Sequence, residues 1–142
     1  MGNRSAPEWA IDQYQVSTYK RSGISSDPNR ADDEEYIVRL IGRVVLQSGA
    51  EVVRSTIRGP AIIGEGTRVE DSFVGPFTSI YYGCEIIRSE IEHSIVLENS
   101  RIENIKRIEE SLVGQNATVT QSQSKPVAYR IMIGDSSRVE VP

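Results

Sequence analysis

Branched aliphatic residues recur at a fixed spacing of 17 through most of this chain, and no other feature restricts its fold as tightly. Ile57, Val74, Ile91 and Ile108 form one column at that spacing, Leu46, Ile63 and Ile80 a second, and Val52, Val69 and Ile86 a third. Interleaved, the columns advance by six, six and five residues. A constant period of this kind marks stacked units rather than one wrapped core. Steps of five or six leave room for one short strand and one corner each, so three strands per coil follow.

The corners carry their own signature. Four residues after each aliphatic stands a small side chain: Ala50, Ala61, Thr67, Thr78, Cys84, Ser100, Ala117 and Ser137. Just before several of these come Gly49, Gly66, Gly83, Asn99 and Asn116, residue types that enter the left-handed backbone region at least steric cost. The five-residue steps read Ser-x-Ile or Ser-x-Val, at Ser55, Ser72, Ser89, Ser94 and Ser111. Large aliphatics facing one axis with small residues at the bends describe a triangular prism, an all-β parallel β-helix of about five coils between Ile41 and Val119. Burying one such side chain contributes about 1.5–3 kcal/mol, so a coil with three is too little alone. Stability has to come from stacking coils about 4.8 Å apart.

Two irregularities are expected. Between Ser89 and Ser94 two five-residue steps adjoin, which predicts a phase slip of one face. The polar run Thr120 to Pro126 then interrupts the pattern before Ile133-Gly134-Asp135-Ser136-Ser137-Arg138-Val139 resumes it, predicting a loop and a terminal strand. A β-sandwich also yields short apolar runs, but its strands recur roughly every 8–12 residues and hold no three columns in constant register. A wider right-handed β-helix stays open as an alternative, although a coil of 17 is short for it. Periodicity does not fix the hand.

Domain organisation follows from a composition break near residue 36. Residues 1–36 are polar, with too little apolar content for a core, and read as a tail that is disordered or carries a short helix. Ser5-Ala6-Pro7-Glu8 has the form of a capping box, which would start that helix through Trp9 and Ile11. Residues 37–142 read as the β-helix domain.

The order of segments resembles a known family. Ser55-Thr56-Ile57-Arg58-Gly59-Pro60, Ile62-Ile63-Gly64-Glu65-Gly66-Thr67, Val74-Gly75-Pro76-Phe77-Thr78-Ser79-Ile80 and Ser94-Ile95-Val96-Leu97-Glu98-Asn99-Ser100 carry the likeness, with Arg107 to Gly114 and Gly134 to Glu140. Together they are similar to the C-terminal left-handed β-helix of long-form glucose-1-phosphate thymidylyltransferases, over about residues 40 to 142. The left hand is implied by this resemblance alone. In that family a preceding domain transfers a nucleotidyl group from dTTP to glucose 1-phosphate with magnesium; no such domain is recognisable here. Its phosphate-cradling loop contains G-x-G-T-R, letters that Gly64-Glu65-Gly66-Thr67-Arg68 also spells. Here those residues fall on core and corner positions, without the helix N-terminus on which such loops depend. Tyr81-Tyr82 departs from the preceding coil, which has Gly64-Glu65.

Other chemistries find little support. Sixteen basic against twenty acidic residues, net charge −4, and no basic run argue against nucleic acid. No apolar run approaches the roughly 20 residues of a membrane span, and no leader is recognisable, so neither membrane nor export is expected and the cytoplasm fits. Cys84 is the only cysteine, which excludes an internal disulfide, and its small inward position predicts a buried, inert thiol. His93 is the only histidine. It is the one weak catalytic candidate, as a general base of hexapeptide-acyltransferase type, and a solvated corner is its simpler reading. Three-histidine zinc chemistry lacks ligands. Asn116-Ala117-Thr118 matches a glycosylation acceptor that nothing in the chain directs to the machinery. Acidic clusters at Asp32 to Glu35 and Glu109-Glu110 read as solvated surface.

No cofactor or metal is therefore expected, and no catalysis by the chain alone. The leading expectation is a non-catalytic module that forms a homo-oligomer, dimer or trimer, or binds a nucleotidyltransferase partner. The alternatives are part of a sugar-nucleotide transferase whose catalytic domain lies elsewhere or is lost, and a reduced acyltransferase. Phe73, Phe77, Tyr81 and Tyr82 fall within ten residues on or near the outside of one coil and are the candidate interface. The competing arrangement has the tail folding back over them with Trp9, Tyr14 and Tyr19.

Overall fold

A computed structural model of the chain describes residues 10–20 and 37–142. Every regular element among them is a strand. After β1 (Ala10–Lys20), five coils follow. The first consists of β2 (Ile37–Leu46) and β3 (Glu51–Val53), and the second of β4 (Thr56–Arg58), β5 (Ala61–Ile63) and β6 (Arg68–Glu70). The third has β7 (Phe73–Val74), β8 (Thr78–Ile80) and β9 (Glu85–Ile87), and the fourth β10 (Glu90–Glu92), β11 (Ile95–Val96) and β12 (Arg101–Glu103). The fifth has β13 (Ile108–Glu109), β14 (Leu112–Val113) and β15 (Thr118–Thr120).

Like strands stack in parallel into three faces of a solenoid. The third face runs β3, β6, β9, β12, β15. The other two share one continuous ladder, β13-β10-β7-β4-β2-β5-β8-β11-β14, because β2 turns the corner between them at Gly42, whose φ is +76°. Its residues 39–41 pair with β4 on the first face and its residues 44–46 with β5 on the second. The backbone repeats with the coil: Arg39 N–H donates to Ser55 O, Thr56 N–H to Ser72 O and Phe73 N–H to Ser89 O. Ile57, Ile63, Val69, Val74, Ile86 and Ile102 are fully enclosed, which places the three sequence columns on the inside.

The corners follow the residue types that predicted them. Gly49, Gly66, Gly83, Asn99 and Asn116, all between the second and third faces, have φ from +53° to +73°. The small residues that follow form a hydrogen-bonded stack: the Thr67 hydroxyl donates to Tyr81 O and accepts Cys84 N–H, and the Ser100 hydroxyl accepts Ala117 N–H. The serine signature explains the corner between the third and first faces. Ser55 Oγ, Ser72 Oγ and Ser89 Oγ donate to the carbonyl two residues back, at 2.7–2.8 Å. Each then accepts a backbone N–H from the next coil, from Ser72, Ser89 and Ile105. No buried side-chain polar atom among the described residues is left without a partner, which is what permits hydroxyls this deep in an apolar prism.

Three expectations need correction. There is no one-face slip: the corner between β10 and β11 is one residue shorter, so Ser79 pairs with Ile95 rather than Val96, while the order of faces is kept. The deficit is made up between Ile102 and Ile108, and Ile91 pairs with Ile108 at the full spacing. No terminal strand follows β15. Residues 121–142 leave the solenoid, with Val127, Tyr129, Met132, Val139 and Val141 all exposed, where the polar run Thr120 to Pro126 supplies no aliphatic residue for the axis. Finally, Ile11 lies in a strand, not a helix turn: β1 pairs antiparallel with β2, Ile11 opposite Val44. A strand that adds main-chain bonds to β2 is favoured over an isolated helix turn, which gains few. Trp9 and the capping-box residues lie outside the described residues.

Candidate functional site

The three faces share one interior and differ outside. On the third face the outward register position holds Glu51, Arg68, Glu85 and Arg101 in successive coils. Arg68 pairs with Glu51 at 3.0 Å and with Glu70 at 3.1 Å, and Arg101 with Glu85 at 3.2 Å. The adjoining corner carries Arg54, Asp71 and Arg88, all at positive φ. Arg54 donates to both Asp71 oxygens, at 2.7 and 3.0 Å, and to Glu70 at 2.7 Å. These hydrogen bonds raise the guanidinium pKa of Arg54 and hold the Asp71 carboxyl below its ordinary value. Arg88 is engaged by Glu103 and Asn104. An open groove of about 500 Å³ lies here, between Arg54, Phe73, Arg88 and Lys106. Two of its cations are already committed to carboxylates, so it is a poor anion site.

The outside of the second face is different in kind. Its outward column is Val45, Ile62, Ser79, Ile95 and Leu112, paired strand to strand. Ile62 is 42% exposed, Ile95 44% and Leu112 69%. No charge stands in that column. Phe77 borders it on one side and stacks on His93, ring centres 5.2 Å apart, while Tyr81 and Tyr82 border it on the other. The result is an uncharged, largely apolar column across the coils, interrupted at Ser79 and bordered by aromatic rings.

The structure separates the sequence-predicted residues. Phe77, Tyr81 and Tyr82 flank the second face and are exposed. Phe73 sits on the first face in register with Thr56 and Glu90 and is half-buried rather than turned fully outward. In its own column Phe77 stands between Pro60 and His93, bonding its N–H to Pro60 O. His93 is an exposed corner residue at φ +48°. Cys84 is buried at the corner, with its Sγ 3.2 Å from Leu97 O, and burial pushes its thiol pKa up. Among the described residues there is no group of three metal-ligating side chains, and no helix is long and apolar enough to cross a membrane. Ile62, Ile95 and Leu112 were missed, although each directly precedes a core column residue and must therefore point the other way along a strand.

Two relatives are similar to this chain in sequence. A glucose-1-phosphate thymidylyltransferase of Streptomyces antibioticus is 51% identical over 109 residues, 77% of this chain and 30% of that protein. One of Streptomyces griseus is 48% identical over 102 residues, 72% of this chain and 29% of that protein. Matches of that length in 142 residues necessarily run through the solenoid. This chain is homologous to part of the glucose-1-phosphate thymidylyltransferases. It spans about 30% of the length of these relatives. No family model matches it. In this thymidylyltransferase-related solenoid the letters Gly64-Glu65-Gly66-Thr67-Arg68 are the corner between β5 and β6 and the start of β6, and Gly64 is buried under the Tyr81 backbone.

Proposed function

We propose that the solenoid is a non-catalytic assembly module of a thymidylyltransferase-type protein, holding copies of the chain together through the outside of its second face. The carrying observation is the exposed column Ile62, Ile95 and Leu112 with its aromatic borders. Packing of the chain on itself does not require those side chains, because the inward residues of the same strands already fill the interior. An uncharged, largely apolar column carries no like charges to repel a second copy and suits a symmetric contact between identical chains. In this reading nucleotidyl transfer to glucose 1-phosphate belongs to polypeptide outside these residues, which the 30% coverage of the relatives favours, and the module works in the cytoplasm.

Two measurements test the proposal. Light scattering on the intact chain gives a multiple of 15.8 kDa, and Ile62→Asp with Leu112→Asp lowers that multiple. An unchanged multiple in that variant would move the interface elsewhere. Mixed with dTTP, glucose 1-phosphate and magnesium, the chain releases no pyrophosphate above an Arg68→Ala control; clear turnover by the parent would refute a non-catalytic role.

A further inference from the structure

The segment after the solenoid repeats its chemistry in miniature. Ile133-Gly134-Asp135-Ser136-Ser137-Arg138-Val139-Glu140 matches Ile63-Gly64-Glu65-Gly66-Thr67-Arg68-Val69-Glu70 position by position: aliphatic, glycine, acid, turn residue, small hydroxyl, then Arg, Val and Glu. The structure gives it the same shape. Ser136 has φ +58°, like Asn116 at +53° and Gly66 at +67°, and the turn falls on residues 135–136 as it falls on 65–66 and 115–116. Arg138 bonds Glu140, as Arg68 bonds Glu70 and Arg101 bonds Glu103. This is the sequence and turn of the corner between the second and third faces, a half-coil whose flanking residues form no strand here.

Among the described residues it stacks on no coil of its own chain. Residues 123–142 are all exposed, including Ile133 at 55% and Val139 at 47%, the two positions that elsewhere face the core. Meanwhile the last coil is open. At earlier corners Leu97 N–H donates to Val113 O and Asn116 N–H to Glu98 O. The next members of those two series would be Gly114 N–H to Ile133 O and Ser136 N–H to Gln115 O, and neither bond forms within the chain. Ile108 and Val119 are only half-buried for lack of a coil below them. A Cβ at Gly64 would meet the next coil's backbone at 2.3 Å, whereas one at Gly114, the same corner of the last coil, would meet nothing.

We propose that residues 133–140 stack on the open end of a second copy of this chain, continuing its second and third faces. The pattern of donors, turn and aliphatics fits a solenoid end of this sequence. In this chain the segment does not stack on its own end, since residues 123–142 are all exposed, and fourteen positions separate Val119 from Ile133, against eleven from Val69 to Ile80 and from Ile102 to Val113. Each copy then has one unmatched half-coil and one unmatched end, so two copies satisfy each other by exchanging arms, a closed two-fold arrangement. The exchange uses no residue of the second-face column and is independent of the assembly proposed above.

Register identifies the test. Arg101 pairs with Thr118 on the third face, and the next position in that column is Arg138. Chains carrying Thr118→Cys and chains carrying Arg138→Cys, mixed and treated with a short bismaleimide in a Cys84→Ser background, give a linked species of twice 15.8 kDa under denaturing conditions. Its cross-linked peptide joins positions 118 and 138. Adding Ile62→Asp and Leu112→Asp leaves the link in place, which separates this result from failure of the second-face interface. A chain with both cysteines that links only within itself, with no product from the mixed single variants, would overturn the exchange, as would no linking at all.

Discussion

The second and third faces are the same on the inside and opposite on the outside. Inward, Ile63 and Val69 are equally enclosed, at 0% exposure, each one coil from a like residue. Outward, the third face alternates Glu51, Arg68, Glu85 and Arg101 in ion-paired register, while the second offers Val45, Ile62, Ser79, Ile95 and Leu112. The comparison teaches that the coil constrains one side of each strand only. A parallel strand edge stacks equally well under charge or under isoleucine, so the choice of exterior reports what each face meets. Alternating charges keep the third face in water and penalise like-on-like docking. An exterior of isoleucine and leucine does the reverse.

The comparison breaks first at the inside. Ile63→Asp puts an unpaired charge on the closed axis and costs more than about 4 kcal/mol, so the variant is unfolded by far-ultraviolet dichroism. Folded protein with native dichroism would contradict the solenoid. Next comes the shared corner chemistry: Ser72→Ala leaves the buried Ser89 N–H without its acceptor and lowers stability by about 1–3 kcal/mol in denaturant titration. A smaller effect belongs to the charged side. Arg54→Ala costs at most about 1 kcal/mol, because the pairs it breaks are partly exposed. Its pH dependence has a definite sign. Asp71 is held below its ordinary pKa, so the ion pair stabilises above the unfolded value of about 4 and is lost as pH falls through the lower folded value. The stability gap between parent and Arg54→Ala therefore closes in acid. Smallest for monomer stability is Ile62→Asp, within about 0.5 kcal/mol, although it adjoins Ile63 and carries the same substitution.

The interior was legible because burial leaves its mark at every coil: three aliphatic columns and a ring of glycine, asparagine and small hydroxyl residues define the prism without structural help. The role of the serines was not, since a hydroxyl that bonds both within its coil and to the next has no spacing different from one that merely fits a corner. The shortened corner at His93-Ser94 looked like a slip because a one-residue deletion in one corner and its repair in another produce the same local spacing as a change of face. Four clustered aromatics were visible, yet Phe73 falls on the first face because clustering along the chain ignores which corner intervenes. Ile62, Ile95 and Leu112 were overlooked because a search for the repeating column finds what faces inward.

The measurement that bears most directly on an apolar second-face assembly is the mass of the intact chain by sedimentation equilibrium, at low salt and at about 1 M salt. Contacts through Ile62, Ile95 and Leu112 do not depend on charge, whereas pairs like those of the third face are screened over about 3 Å at that salt concentration. The account predicts a multiple of 15.8 kDa at both salt concentrations. A single-chain mass throughout, or a multiple that dissolves as salt rises, would contradict it.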